Sequence, residues 1–128
     1  MSATLDSSAL TKFATQDRAT MARIQRLLER GLWPPIVPTA VLVESLTGNG
    51  PRDARVKRLL RTCDVVPLEI VTARRAAELR TRARAGSAVD AIVVATAEAE
   101  ASEIVITGDT DDITRLAGHA NGVSVMSN

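Results

Sequence analysis

The 128-residue chain has one cysteine, one phenylalanine, one tryptophan and no tyrosine. A lone thiol, Cys63, cannot form an internal disulfide, and it excludes both a disulfide framework and a Cys-rich zinc site. That economy fits a reducing compartment. The shortage of aromatics leaves little material for stacking bases in the manner of single-strand-binding surfaces. No apolar run approaches the roughly 18 residues of a membrane span. The N-terminus, Met-Ser-Ala-Thr-Leu-Asp, has no basic region followed by a long apolar stretch, so no signal peptide is expected. The expectation is a cytoplasmic protein with no membrane contact.

What remains is ample for one folded domain spanning 1–128. Hydrophobic residues make up 45% of the chain, and this length supports one core rather than two. The net charge of +1 conceals an asymmetry. Residues 52–85 carry ten basic and four acidic groups, net +6, whereas residues 86–128 carry one basic and seven acidic, net −6. A polyanion-facing segment beside an acidic one is one reading; two solvated helical faces are the other.

Short apolar runs alternate with helical patterns. Strands are predicted at 3–5, 36–37, 65–68, 104–107 and 123–126. Helices are predicted at 8–13, 18–30 behind the cap Asp17, 40–46 behind Thr39, 51–61, 72–84, 88–101 behind Ser87, and 111–116. Met21, Ile24, Leu27 and Leu28 should share one face of the second helix. This order predicts an α/β domain of three layers, α-β-α, with a parallel sheet. In such folds the working site lies beyond the carboxyl ends of the strands.

The carboxylates gather where that site would be. In "ITGDTDD", residues 106–112, three acids crowd into four positions, and two unit charges about 4 Å apart repel by roughly 4 kcal/mol at an effective dielectric of about 20. Turn and cap chemistry requires only one acid there. Asp6 ends the first strand and suits an N-cap. Glu44 lies in Ala-Val-Leu-Val-Glu-Ser-Leu, an apolar pattern that predicts a buried helix and hence a carboxylate needing a partner; an exposed stripe through Ser45 and Thr47 is the alternative. Asp90 stands three residues after Ser87, as in a capping box, but amid apolar residues. Together Asp6, Glu44, Asp90, Asp109 and Asp112 form an all-oxygen set, which suits Mg²⁺ or Mn²⁺. Two such ions about 3.5–4 Å apart are the usual means of phosphodiester cleavage.

Four motifs, "LDSSAL" (5–10), "VPTAVLVESLTG" (37–48), "VDAIVVATA" (89–97) and "VITGDTDDI" (105–113), resemble those of PIN-domain nucleases, and the size and order are similar to VapC-type toxins of bacterial toxin–antitoxin pairs. The resemblance implies a metal-dependent endoribonuclease that uses Mg²⁺ or Mn²⁺, acts on RNA, pairs with a cognate antitoxin and usually forms a homodimer. It implies Asp6, Glu44, Asp90 and Asp109 as catalytic metal ligands, with Asp112 as the auxiliary acid. Ser7 or Ser8 would be the hydroxyl that supports the first Asp. The basic segment supplies candidate RNA contacts at Arg52, Arg55, Arg58, Arg74, Arg80 and Arg84. Helical spacing sets Arg55 and Arg58 on one face, and Arg80 and Arg84 on another.

Other classes fit less well. A receiver-type phospho-acceptor domain requires adjacent acids after the first strand and a late lysine, and no lysine follows Lys57. A phosphatase with an Asp-x-Asp nucleophile fails at Ser8. A hydrolase built on Cys63 or a serine with His119 has only composition behind it. A non-catalytic PIN-like interaction module is the rival from another class; missing carboxylates would mark it.

Overall fold

A computed structural model describes residues 1–128. Strand β1 (Ala3–Leu5) is wholly buried, and it leads through α1 (Ser7–Ala14) and α2 (Arg18–Glu29) to β2 (Ile36–Pro38). Helices α3 (Thr39–Ser45) and α4 (Gly50–Leu60) connect to β3 (Asp64–Val66). Then come α5 (Ile70–Ala83), α6 (Ala88–Ala99), β4 (Ile104–Thr107), α7 (Thr110–Ala117) and β5 (Ser124–Ser127).

The five strands form one sheet in the order β3-β2-β1-β4-β5, every pair parallel. Ala3, Leu5, Val37, Val105 and Ile106 fill its middle and are buried on both faces, as a parallel sheet between helical layers requires. The chain winds outward from β1 to β3, then crosses back to β4. Because parallel crossovers are right-handed, α1–α4 cover one face and α5–α7 the other. Consistently, α1 packs on α2, α3 and α4, and α6 on α5 and α7. The winding reverses between β1 and β4, so a crevice opens at their carboxyl ends.

Most expected elements are present, within a residue or two. Two local readings require correction. The pattern of α3 predicts burial, but only Val41 is buried, while Val43 is 81% exposed and Glu44 is exposed. At seven residues the helix makes two turns over α1 and α6, and a single stripe suffices to seal it. Thr39 does not cap this helix; it is the first helical residue, entered from Pro38 with no side-chain cap. In α2, Leu27 is buried and Ile24 packs on the core, while Met21 and Leu28 are about half exposed.

Asp53, in the first turn of α4, is 2% exposed. Its carboxylate accepts hydrogen bonds from the Thr47 amide at 2.9 and 3.1 Å, the Thr47 hydroxyl at 2.8 Å and the Gly48 amide at 2.9 Å. It thereby pins the turn between α3 and α4. Burial pushes its pKa up, but these donors, with Lys57 nearby, outweigh burial and hold it below the usual 3.8.

Candidate active site

Strand β1 ends in Asp6, and its neighbour β4 ends one residue before Gly108 and Asp109. Both carboxylates therefore stand at the winding reversal. Asp6 is 3% exposed. Its Oδ1 accepts from the Ala9 amide at 2.9 Å, capping α1, and from the Ser8 hydroxyl at 2.7 Å. Its Oδ2 accepts from the Thr107 hydroxyl. Thr107 Oγ1 in turn accepts from the Asp109 amide at 2.8 Å, so one hydroxyl ties the two strand ends together. Sequence reasoning missed Thr107, which reads simply as a β-branched strand residue.

Ser8 makes a second tie. Its Oγ accepts from the Gly108 amide at 2.8 Å. A Cβ on Gly108 would stand 3.1 Å from that oxygen and 3.0 Å from the Asn128 side-chain amide, so any larger residue would push these two side chains back by a few tenths of an ångström.

Asp90 joins from the first turn of α6. The capping box is present: the Asp90 amide donates to Ser87 Oγ at 3.1 Å, and Asp90 Oδ2 accepts from the Ser87 amide at 3.0 Å. Asp109 caps α7 by a long contact of 3.5 Å with the Asp112 amide. Capping and site-building are thus done by the same residues. Carboxylate oxygens of Asp90, Asp109 and Asp112 all lie within 4.8 Å of one another.

Nothing basic in the chain neutralises this group. The ion pairs all lie elsewhere, joining Arg75 to Glu78 and Glu98, and Arg82 to Glu78. Asp90 shows the consequence. Burial raises its pKa most; hydrogen bonds from Ser87 pull it down; Asp109 and Asp6 push it up, and the net result lies above 3.8. The donor set is all oxygen, anionic and free of His and Cys, which fits a hard divalent cation.

The remaining expected residues are distributed as follows. Asp6 acts on Asp90 through its charge but is not among the three grouped acids. Asp111 is exposed and also outside the group. Glu44 is not gathered with Asp90, Asp109 and Asp112 either; its Oε1 accepts from the Ser7 hydroxyl at 2.9 Å, which holds it next to Asp6 in sequence. The argument that Glu44 is buried fails, since it lies on the open side of α3.

Arg52, Arg55 and Arg58 are exposed on α4, and Arg58 joins Lys57 and Arg61 around a cavity of about 280 Å³. Arg74 and Arg80 are exposed on α5. Arg84 lies beyond the end of α5 in a left-handed conformation, φ 52°, so helical spacing does not set it beside Arg80. Elsewhere in the basic segment, Arg75 is already engaged: it holds Glu98 at 2.7 and 3.1 Å and donates to the His119 carbonyl at 3.1 Å. Cys63 is half-buried, and burial pushes its thiol up to about 11, an unreactive state.

The family model of the PIN domain matches residues 3–119. The chain belongs to the PIN-domain family. Among curated proteins, none matches it in sequence. Solved structures share the fold. VapBC2 from Rickettsia felis, bound to a DNA fragment from its promoter, aligns with a TM-score of 0.76 at 13% identity, covering 100% of this chain and 99% of that one. A toxin–antitoxin complex from Klebsiella pneumoniae gives 0.71 at 24% identity, covering 95% of each chain. VapC20 from Mycobacterium tuberculosis, described as a sarcin–ricin loop-cleaving toxin, gives 0.62 at 17% identity, covering 94% of this chain and 98% of that one. These likenesses are of fold. Within this PIN domain, Asp6 and Asp109 fall at or beside the carboxyl ends of β1 and β4, Asp90 lies in the first turn of α6, which packs on both strands, and Glu44 lies on α3, which packs on α1, α6 and β2.

Proposed function

We propose that the chain is a metal-dependent endoribonuclease, the toxin of a bacterial toxin–antitoxin pair. The observation that carries this reading is an unneutralised three-carboxylate group, Asp90, Asp109 and Asp112, at the winding reversal of a PIN domain. Support comes from fold relatives, among them a toxin–antitoxin complex and a protein described as a sarcin–ricin loop-cleaving toxin.

In this reading Asp90, Asp109 and Asp112 hold Mg²⁺ or Mn²⁺, with Asp6 and Glu44 completing the set from the β1 and α3 side. Such an ion supplies a water of lowered pKa and offsets the phosphoryl charge. The chain's own contribution is orientation. Thr107 and Ser8 each bond Asp6 and also hold the turn that carries Asp109. Ser87 fixes one oxygen of Asp90 and leaves the other available. Ser7 steadies the Glu44 carboxylate.

The partners belong to the same reading. RNA is the substrate and the cytoplasm the place of action. Val43, Ile70 and Val71 are each more than 70% exposed, apolar surface suited to coverage by an antitoxin or a second copy. Light scattering of the purified chain, alone and with the protein encoded beside it, tests both associations.

For the chemistry, the test is cleavage of an end-labelled RNA of mixed sequence with Mn²⁺ or Mg²⁺ and with excess chelator. Cleavage should require the ion. Full activity in chelator would overturn the mechanism.

A further inference from the structure

We propose that the cationic trough between α2 and the edge strand β5 carries the phosphodiester backbone of single-stranded RNA away from the carboxylate group. This inference rests on the nuclease reading and adds to it the track that the substrate follows. It is distinct from the basic segment 52–85.

Two adjoining cavities form the trough. One, of about 190 Å³, is lined by Lys12, Phe13, Thr20, Arg23, Arg26 and Asn128. The other, of about 300 Å³, is lined by Arg23, Arg26, Leu27, Arg30 and Met126. Arg23 and Arg26 belong to both. Arg23 and Arg26 are three apart on α2, and Arg30 follows as its C-terminal cap, its amide donating to the Arg26 carbonyl. Lys12 adds a fourth charge from α1.

Arg26 and Arg30 make no ion pair within the chain, whose ion pairs lie on α5 and α6, whereas the charge of Lys12 acts on Asp17. The acids closest in sequence are engaged otherwise. Asp17 accepts from the Thr20 amide at 2.8 Å and the Thr15 hydroxyl at 3.3 Å, and Glu29 accepts from Gln25 at 3.4 Å. Arg23 donates to the carbonyls of Ser127 at 2.6 Å and Asn128 at 3.2 Å. Arg26 and Arg30 are exposed. Like charges this close repel, and a polyanion would relieve that.

The trough opens on the rim that holds the acids. The Asn128 amide donates to the Thr107 carbonyl at 2.9 Å, and the Asn128 side chain abuts Gly108, the residue before Asp109. Lys12 follows Asp6 by six residues on α1, about 9 Å along the helix axis. A strand whose scissile phosphate lay at the carboxylates would meet these charges within a few nucleotides.

The lining favours nucleic acid over a protein segment. A docked helix needs an apolar groove, but Phe13 and Leu27 are buried in the core and offer no such surface. No aromatic side chain is exposed to read bases, so the contact is with phosphate and independent of sequence.

The experiment uses the full chain carrying Asp90→Asn, which binds without cutting. Its affinity for labelled oligouridylates of about 4 and about 20 nucleotides, short and long against the usual site sizes, is measured over a range of KCl. Adding Arg26→Ala/Arg30→Ala should lower the log–log salt slope for the long oligomer by about 1.4, at about 0.7 per phosphate contact, and leave the short oligomer unchanged. Arg26→Lys/Arg30→Lys should keep the slope. Neither side chain makes a hydrogen bond, so melting curves should match and exclude misfolding. An unchanged slope in the alanine variant overturns the proposal, as does an unchanged slope with lost binding of an acidic protein partner. If Mn²⁺-dependent cleavage by the wild type stands and only the slope fails to move, the trough alone falls. If the wild type neither cleaves nor binds RNA, the nuclease reading falls with it.

Discussion

Asp53 and Asp90 are both acids in the first turn of a helix, and the protein holds them in opposite ways. Asp53 is met by four hydrogen-bond contacts from Thr47 and Gly48, and its pKa falls. Asp90 has the Ser87 amide and otherwise faces burial and other acids, and its pKa rises. A carboxylate that serves structure is given its donors by the chain. One that is left wanting them is the candidate to hold a cation. The contrast separates the two without reference to any relative, because an unsatisfied charge has to be offset from outside.

The largest effect should fall on activity. In the proposed reading, Asp90→Asn or Asp109→Asn removes a metal ligand, and the loss of several kcal/mol of charge stabilisation corresponds to roughly a thousandfold in cleavage rate. Asp53→Asn should leave the rate per folded molecule unchanged. Cleavage assays on the three variants at equal folded concentration check this.

Stability should reverse the order. Asp53→Asn replaces one acceptor oxygen by an amide that faces donors, and a buried mismatch of this kind should lower Tm by on the order of 5 °C. Asp90→Asn keeps an oxygen for the Ser87 amide and removes repulsion. In chelator at neutral pH it should raise Tm by a few degrees at most.

The smallest effect is in pH dependence, and its sign differs between the two sites. Asp53 has a lowered pKa, so its contribution to stability is present above 3.8 and is lost as pH falls through its folded value. Asp90 has a raised pKa, so the folded state holds its proton more tightly than the unfolded chain does. Its favourable contribution is present below 3.8 and is lost as pH rises through its folded value. Thermal melts in chelator from acid to neutral pH should show the Asp53→Asn deficit shrinking toward acid, and the Asp90→Asn advantage growing toward neutral.

Much of this was legible in the sequence because it was local. The run Ile104–Thr107 ends at a glycine and reads as a strand, and Ser87 with Asp90 reads as a capping box; both are present. The apolar stretch of α3 misled, because uniform apolarity cannot tell which side of a short helix meets the core. Asp53 passed unnoticed, since a first-turn acid already suits the helix dipole and its partners in the preceding turn are set by folding. The engagement of Arg75 was likewise hidden: Glu98 is 23 residues away and belongs to another helix. Thr107 was hidden for a different reason, since no local pattern distinguishes a hydroxyl that joins two strand ends from one that only suits a strand.

The central claim, that the carboxylates left without a basic partner are a cation site, is tested most directly by Mn²⁺ binding to the metal-free chain, followed by calorimetry or by the paramagnetic resonance of free Mn²⁺. The wild type and Asp53→Asn should bind alike, and Asp90→Asn and Asp109→Asn should each bind at least about tenfold more weakly. Equal Mn²⁺ affinity in all four proteins would contradict the account.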